Sequence, residues 1–63
     1  MSLISELGSL GSTLDEVISR IAAMADDLMG GPDDSIGGAL TEVERSLRAG
    51  SRRLERLRRD LSD

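Results

Sequence analysis

The sequence predicts an all-α fold, an antiparallel two-helix coiled-coil hairpin that is expected to pair into a dimeric four-helix bundle. Large apolar residues recur at alternating steps of four and three in both halves of the chain. One glycine-rich segment with the only proline, GGPDDSIGG at residues 30–38, separates these halves. With 63 residues, no cysteine and no aromatic residue, the chain cannot form a large core alone. We therefore interpret residues 1–63 as a single helical-hairpin domain that gains stability by association.

The first helix is predicted over about residues 3–29, where the apolar residues fill the a and d positions of a heptad repeat. Thr13 and Glu16 match a capping box, which would instead start the helix at Thr13 and leave a short helix before it. Gly8 and Gly11 support that break, whereas the unbroken heptad favours one continuous helix. The predicted seam residues of this helix are Leu3, Leu7, Leu10, Leu14, Val17, Ile21, Met24 and Leu28.

The turn is predicted at residues 30–35. Glycine adopts the positive φ that commonly ends a helix, and proline cannot continue one. Aspartate and serine then cap the helix that follows and complement its dipole. The turn residues are Gly30, Gly31, Pro32, Asp33, Asp34 and Ser35.

The second helix is predicted over about residues 36–61, with the same alternating spacing. Gly50 is the one seam position without an apolar side chain, and it indicates either a weak point or a hole for a partner's side chain. The predicted pairs are centred on Pro32, from Leu28 with Ile36 to Leu3 with Leu61. The seam residues of this helix are Ile36, Leu40, Val43, Leu47, Leu54, Leu57 and Leu61.

One flank of the predicted seam is apolar or small along most of its length, and we expect it to form the homodimer interface. The opposite flank is polar. Burial of Ile4 and Ile18 would contribute about 2 kcal/mol each, and the small residues would let a partner helix approach closely. The predicted dimer or partner interface contains Ile4, Gly11, Ile18, Ala25, Gly37, Glu44, Ser51 and Arg58.

No catalytic, cofactor-binding or metal site is predicted. GGPDDSIGG lacks the lysine and following Ser/Thr of a phosphate-binding loop, and Asp33 and Asp34 supply too few ligands for a dedicated metal site. The segment DDSI resembles the serine motif of phosphopantetheine carrier proteins, and Ser35 agrees in position. The long loop and the further helices of that family have no counterpart here.

The formal charge of −4 is unevenly distributed. Residues 1–35 contain seven acidic residues and one arginine, whereas residues 36–63 contain seven arginines and five acidic residues. The arginine run RRLERLRRD, residues 52–60, is interpreted as a solvated face, because nucleic-acid binding favours a net positive charge and stacking aromatic residues. No apolar run is long enough to span a membrane, and the basic start of a signal peptide is absent. We expect a cytoplasmic protein with no membrane or nucleic-acid partner.

About residues 13–48 of the chain resemble the C-terminal docking domains of modular polyketide synthases. The resemblance depends on the segment TLDEV, on the acidic bend and on the segment DDSIGGALTEVERSLR. That resemblance implies two amphipathic helices per subunit, which form a dimeric four-helix bundle and help to match consecutive subunits. The hairpin outline is also similar to that of the small subunit of exonuclease VII.

These observations predict a non-enzymatic, homodimerising hairpin that serves as a docking or dimerisation element. Two alternatives are also consistent with the sequence. One is a small acidic regulatory protein, of the antitoxin, anti-sigma or phage-inhibitor type, that binds a protein partner. The other is an accessory subunit of an enzyme complex.

Overall fold

A computed structural model describes residues 2–62, and within this range the chain forms two helices. Helix α1 spans Leu3–Leu28 and helix α2 spans Asp34–Ser62. They pack against each other as an antiparallel hairpin with extents of 48 × 17 × 10 Å. The predicted all-α, two-helix hairpin is thus confirmed.

Helix α1 is continuous through Gly8 and Gly11. Its N-terminus is capped by Ser2, whose hydroxyl accepts a hydrogen bond from the Ser5 backbone N–H at 3.1 Å. Thr13 lies within the helix, where its hydroxyl donates to the Ser9 carbonyl at 3.2 Å. The capping-box sequence therefore does not start a helix, because the apolar spacing continues on both sides of it.

The turn is closed by contacts between its two ends. Gly30 has a φ of 78°, the left-handed conformation that glycine adopts without steric cost. Its backbone N–H donates to Oδ1 of Asp34 at 2.7 Å, across the turn. The Gly31 N–H donates to the Leu28 carbonyl at 3.3 Å. Asp34 thus joins the first turn of α2 to the end of α1, two residues before the predicted start of the second helix.

The helices approach each other closely at Gly37, near the turn. A Cβ atom at this position would lie 3.2 Å from the carbonyl oxygen of Ala25 and 3.2 Å from Cβ of Leu28. Within residues 2–62 the buried hydrophobic side chains are Ile18 and Ala25, which are 3% and 2% exposed. The hairpin is therefore held by a narrow interface in which small residues bring the backbones together.

This close approach predicts opposite effects at two adjacent glycines. Glycine-to-alanine substitution within a helix gains about 1 kcal/mol of helix propensity. Gly38 has open space around an added Cβ, so Gly38→Ala should stabilise the protein by up to about that amount. Gly37→Ala should lower the free energy of unfolding by about 1 kcal/mol, because the clash with Ala25 separates the helices. Urea unfolding followed by circular dichroism measures both. Equal stabilisation by the two substitutions would contradict the close contact.

Candidate interaction face

Each helix carries three neighbouring rows of residues at heptad spacing, and the rows differ in burial. In α1, buried Ile18 is followed three residues later by half-buried Ile21 and preceded by exposed Val17. In α2 the same offsets relate buried Gly37 to half-buried Leu40 and exposed Ile36. The helices are antiparallel, and their buried rows face each other. Residues at the same sequence separation from the buried row of each helix therefore lie on the same side of the hairpin, which places the two exposed rows side by side.

The two exposed rows form one surface, which we call the apolar face. Its large side chains are between 41% (Val17) and 59% (Leu3) exposed. The half-buried row of leucines and Ile21 lies beside it, towards the hairpin axis. Leu61 at the end of α2 is also exposed, at 44%. The apolar face consists of Leu3, Leu10, Val17 and Met24 from α1 and Ile36, Val43 and Leu57 from α2.

The structure divides the predicted seam between two surfaces. One half, the row next to the hairpin axis, is half-buried between the helices: Leu7, Leu14, Ile21, Leu28, Leu40, Leu47 and Leu54. The other half is exposed and comprises the apolar face together with Leu61. Each helix is thus rotated about its own axis relative to the prediction. About half of the predicted seam residues are therefore exposed to solvent.

The residues predicted as the dimer interface lie instead between the two helices of one hairpin. Three of them, Ile18, Ala25 and Gly37, are buried there, and the other five are half-buried: Ile4, Gly11, Glu44, Ser51 and Arg58. This is a correction to the sequence prediction. Its physical cause is the small size of Ala25 and Gly37, which lets the backbones meet along this row rather than along the rows of larger side chains.

Gly50 occupies the exposed row of α2, between Val43 and Leu57. No heavy atom outside its own neighbourhood in the helix lies within 4 Å of a Cβ built at this position. In a single hairpin the glycine therefore leaves a gap in the apolar face. A side chain from outside the hairpin could enter that gap.

On the opposite side, near the open end of the hairpin, lies a groove of about 580 Å³. Gly8, Gly11 and Ser12 of α1 line it together with arginines of α2. Asp15 and Glu55 also line the groove, which limits its positive charge. The chain has no aromatic side chain to stack on a base. This surface therefore has little of the chemistry that nucleic-acid binding requires.

Within residues 2–62 the ion pairs join residues of α2 only. Arg48 contacts Glu44 at 2.7 Å, and Arg45 contacts Glu42 at 3.2 Å. Across the hairpin, the carboxylate of Asp15 accepts a hydrogen bond from the Ser51 hydroxyl at 2.9 Å. In this part of the chain, the charge difference between the two halves is not neutralised by ion pairs between the helices.

The third ion pair joins Glu55 and Arg58. Hydrogen bonds from Arg58 hold the pKa of the Glu55 carboxyl below its usual value, and the nearby positive charges act in the same direction. Because the folded-state pKa is lowered, the pair stabilises the protein above the unfolded pKa of glutamate. This contribution is lost as the pH falls through the folded-state pKa. Glu55 is exposed and Arg58 is only half-buried, so solvent screens the pair and its effect on stability is small.

The described part of the chain, residues 2–62, contains no cluster of three or more acidic, histidine or cysteine residues placed to hold a metal ion. No helix in that range is both long and apolar enough to cross a membrane. Comparison with protein-family models, characterised proteins and solved structures finds no match for this chain. Inferences about function therefore depend on the surfaces of the hairpin, and the apolar face is the strongest candidate site.

Proposed function

We propose that this chain is a non-enzymatic protein–protein interaction module whose apolar face pairs with a second copy to form a four-helix bundle. The observation that carries the proposal is the apolar face itself, which presents large side chains at heptad spacing from both helices. Such spacing is what interdigitating helices in bundles use. The proposed role is docking or dimerisation, and the proposed setting is the cytoplasm.

The energetics favour association. Burying the exposed half of each large side chain in the apolar face would contribute about 1 kcal/mol per residue. The interface within one hairpin buries Ile18 and Ala25, which is little for a chain near the lower size limit for independent folding. Pairing would thus supply much of the apolar burial that the single hairpin lacks.

The dimensions of the hairpin also suit a second copy. Its two larger extents, 48 and 17 Å, give a face on the order of 800 Å². Stable protein–protein interfaces bury about 800 Å² per partner. A second hairpin offers a face of the same length, the same row spacing and the same apolar character.

The proposal predicts that thermal stability depends on protein concentration. If the hairpin is stabilised by pairing, its Tm rises with concentration, because only the folded form associates. Circular-dichroism melting curves recorded over about a hundredfold range of concentration measure this dependence. A Tm that is constant over the range would contradict self-association as the source of stability.

The gap at Gly50 gives a second prediction. Gly50→Leu should increase the helicity of the isolated chain, since leucine has about 0.8 kcal/mol better helix propensity and meets open space. It should weaken self-association by about tenfold, because the new side chain occupies the gap that a partner side chain would fill. Gly38→Leu is the matched control, as Gly38 is equally open but lies away from the apolar face. Unchanged or tighter association of Gly50→Leu in sedimentation experiments would show that no partner group enters the gap.

A further inference from the structure

We infer that the groove near the open end of the hairpin is a docking site for an acidic helical segment of a partner protein. The groove lies on the side opposite the apolar face, and residues of a single hairpin form it. It is therefore accessible in a monomer and in a dimer that pairs through the apolar face. The inference goes beyond the proposed self-association and does not depend on it.

Positive charge is in excess among the side chains that line the groove. Four arginines of α2 line it, against the two carboxylates of Asp15 and Glu55. Glu6 and Asp60 lie at the same end of the hairpin but do not line the groove. By helical periodicity, Glu6 lies towards the apolar face and Asp60 lies on the outer surface of α2. The arginines of the groove are Arg52, Arg56, Arg58 and Arg59.

Both carboxylates of the groove already have partners within the hairpin. Asp15 accepts a hydrogen bond from the Ser51 hydroxyl at 2.9 Å, and Glu55 accepts one from Nε of Arg58 at 3.0 Å. Within residues 2–62, the other three groove arginines are exposed and take part in no ion pair: Arg52, Arg56 and Arg59. Guanidinium groups bind carboxylates through paired, charge-assisted hydrogen bonds. These three arginines are therefore the groups that an acidic ligand would contact.

The spacing of the three arginines favours a helical ligand. Arg56 follows Arg52 by four residues and Arg59 follows Arg56 by three, so the rises along α2 are about 6 and 4.5 Å. A second helix that lies along the groove carries the side chains of one face at the same two rises. An extended peptide repeats its same-face side chains at about 6.6 Å and matches only the first rise. The expected ligand is thus a helix with acidic residues at intervals of four and three.

The wall of the groove that α1 contributes leaves room for such a helix. It includes Gly8, Gly11 and Ser12. A Cβ atom at Gly11 would have no heavy atom within 4 Å outside its own neighbourhood in the helix, and one at Gly8 would lie 3.8 Å from Cδ of Arg58. Because these positions lack larger side chains, the backbone of a ligand helix can approach α1 closely. Its acidic side chains are then within reach of the arginines.

The same groove disfavours other anionic ligands. A phosphate group carries nearly two negative charges, so Asp15 and Glu55 repel it more strongly than they repel a carboxylate. The chain has no aromatic side chain on which a nucleic-acid base could stack. An acidic helix brings one charge per side chain and needs no stacking partner.

Titration of the isotope-labelled protein with a designed peptide, followed by amide NMR spectra, tests the site. The probe is an alanine-based helical peptide of about 18 residues with glutamates at alternating intervals of four and three. At about 0.15 M salt, the amide signals of Gly8, Gly11 and Ser12 should shift with a dissociation constant on the order of 0.1–1 mM. A peptide of the same composition with its glutamates spread around the helix should bind at least about fivefold more weakly.

Matched variants distinguish the groove from general charge effects. Arg56→Glu should weaken binding by about tenfold or more, because it removes a carboxylate contact and adds a repelling charge. Arg53 does not line the groove, so Arg53→Glu makes the same charge change and should leave the dissociation constant within about twofold. Gly11→Leu should weaken binding by about tenfold without any change of charge, since leucine fills the space beside α1. Circular dichroism of each variant should show that the hairpin is intact.

The outcomes separate this inference from the proposed self-association. Unshifted groove signals at about 5 mM peptide would overturn the inference, as would equal losses from Arg56→Glu and Arg53→Glu. Tighter binding of a single-stranded oligonucleotide than of the peptide would overturn the acidic helix as the ligand. Species heavier than a dimer that Arg56→Glu abolishes would indicate another copy in the groove and would also overturn it. In sedimentation equilibrium of the original protein, a monomer that binds the peptide would contradict only the proposed function.

Discussion

Ile18→Glu is expected to unfold the hairpin. The Ile18 side chain is 3% exposed between the helices, and glutamate there would place an unpaired charge against apolar surface. Such a substitution costs at least about 3 kcal/mol, which is comparable to the whole stability that a core of this size supplies. Far-ultraviolet circular dichroism should show a large loss of helicity at all concentrations. The milder Ile18→Ala should destabilise the protein by about 2–4 kcal/mol.

The neighbouring Ser19→Glu is the matched control for Ile18→Glu. Ser19 is exposed, so the same charge one residue further along the helix should leave the spectrum close to that of the original protein. A fully helical Ile18→Glu variant would contradict the position of Ile18 in the hairpin interface. If that variant were helical but monomeric, Ile18 would instead lie at a contact between copies, as the sequence alone predicts.

Val17→Glu is expected to separate the copies. Val17 is 41% exposed on the apolar face, so the single hairpin accommodates a charge there in contact with solvent. In the proposed dimer the charge would be buried twice, once from each copy. We expect the dissociation constant to rise by about 100-fold or more, which corresponds to nearly 3 kcal/mol. Sedimentation equilibrium measures the change.

Adjacent positions thus distinguish the two surfaces of one helix. At equal concentration, Val17→Glu should retain more helicity than Ile18→Glu, because it removes the contact between copies and leaves the hairpin interface intact. Ser19→Glu again serves as the control for added charge. Association of Val17→Glu with the original affinity would show that the apolar face is not covered by a second copy.

The hairpin and its turn could be predicted from the sequence because they depend on local chemistry. Heptad spacing determines the helical state, and Gly30 with Pro32 determines where the first helix ends. The hydrogen bonds that close the turn could not be predicted from the sequence. The carboxylate of Asp34 accepts the N–H of Gly30, a contact that spacing alone does not reveal.

The rotation of the helices about their axes could not be predicted in the same way. Large apolar residues occupy two neighbouring rows on each helix, and the heptad pattern does not say which row is covered within the chain. The heptad pattern predicts that both rows lie in the hairpin seam, and it therefore predicts Ile18 at the dimer interface. The useful signal is the row of small residues, since Ala25 and Gly37 permit backbone contact that larger side chains would prevent.

We propose that the apolar face is covered by a second copy of the chain. Sedimentation equilibrium of the original protein tests it most directly. With a chain mass of 6.7 kDa, we predict a reversible equilibrium that approaches twice this mass at about 50 μM, a concentration consistent with micromolar affinity. A single species of 6.7 kDa that persists up to about 500 μM would contradict the claim.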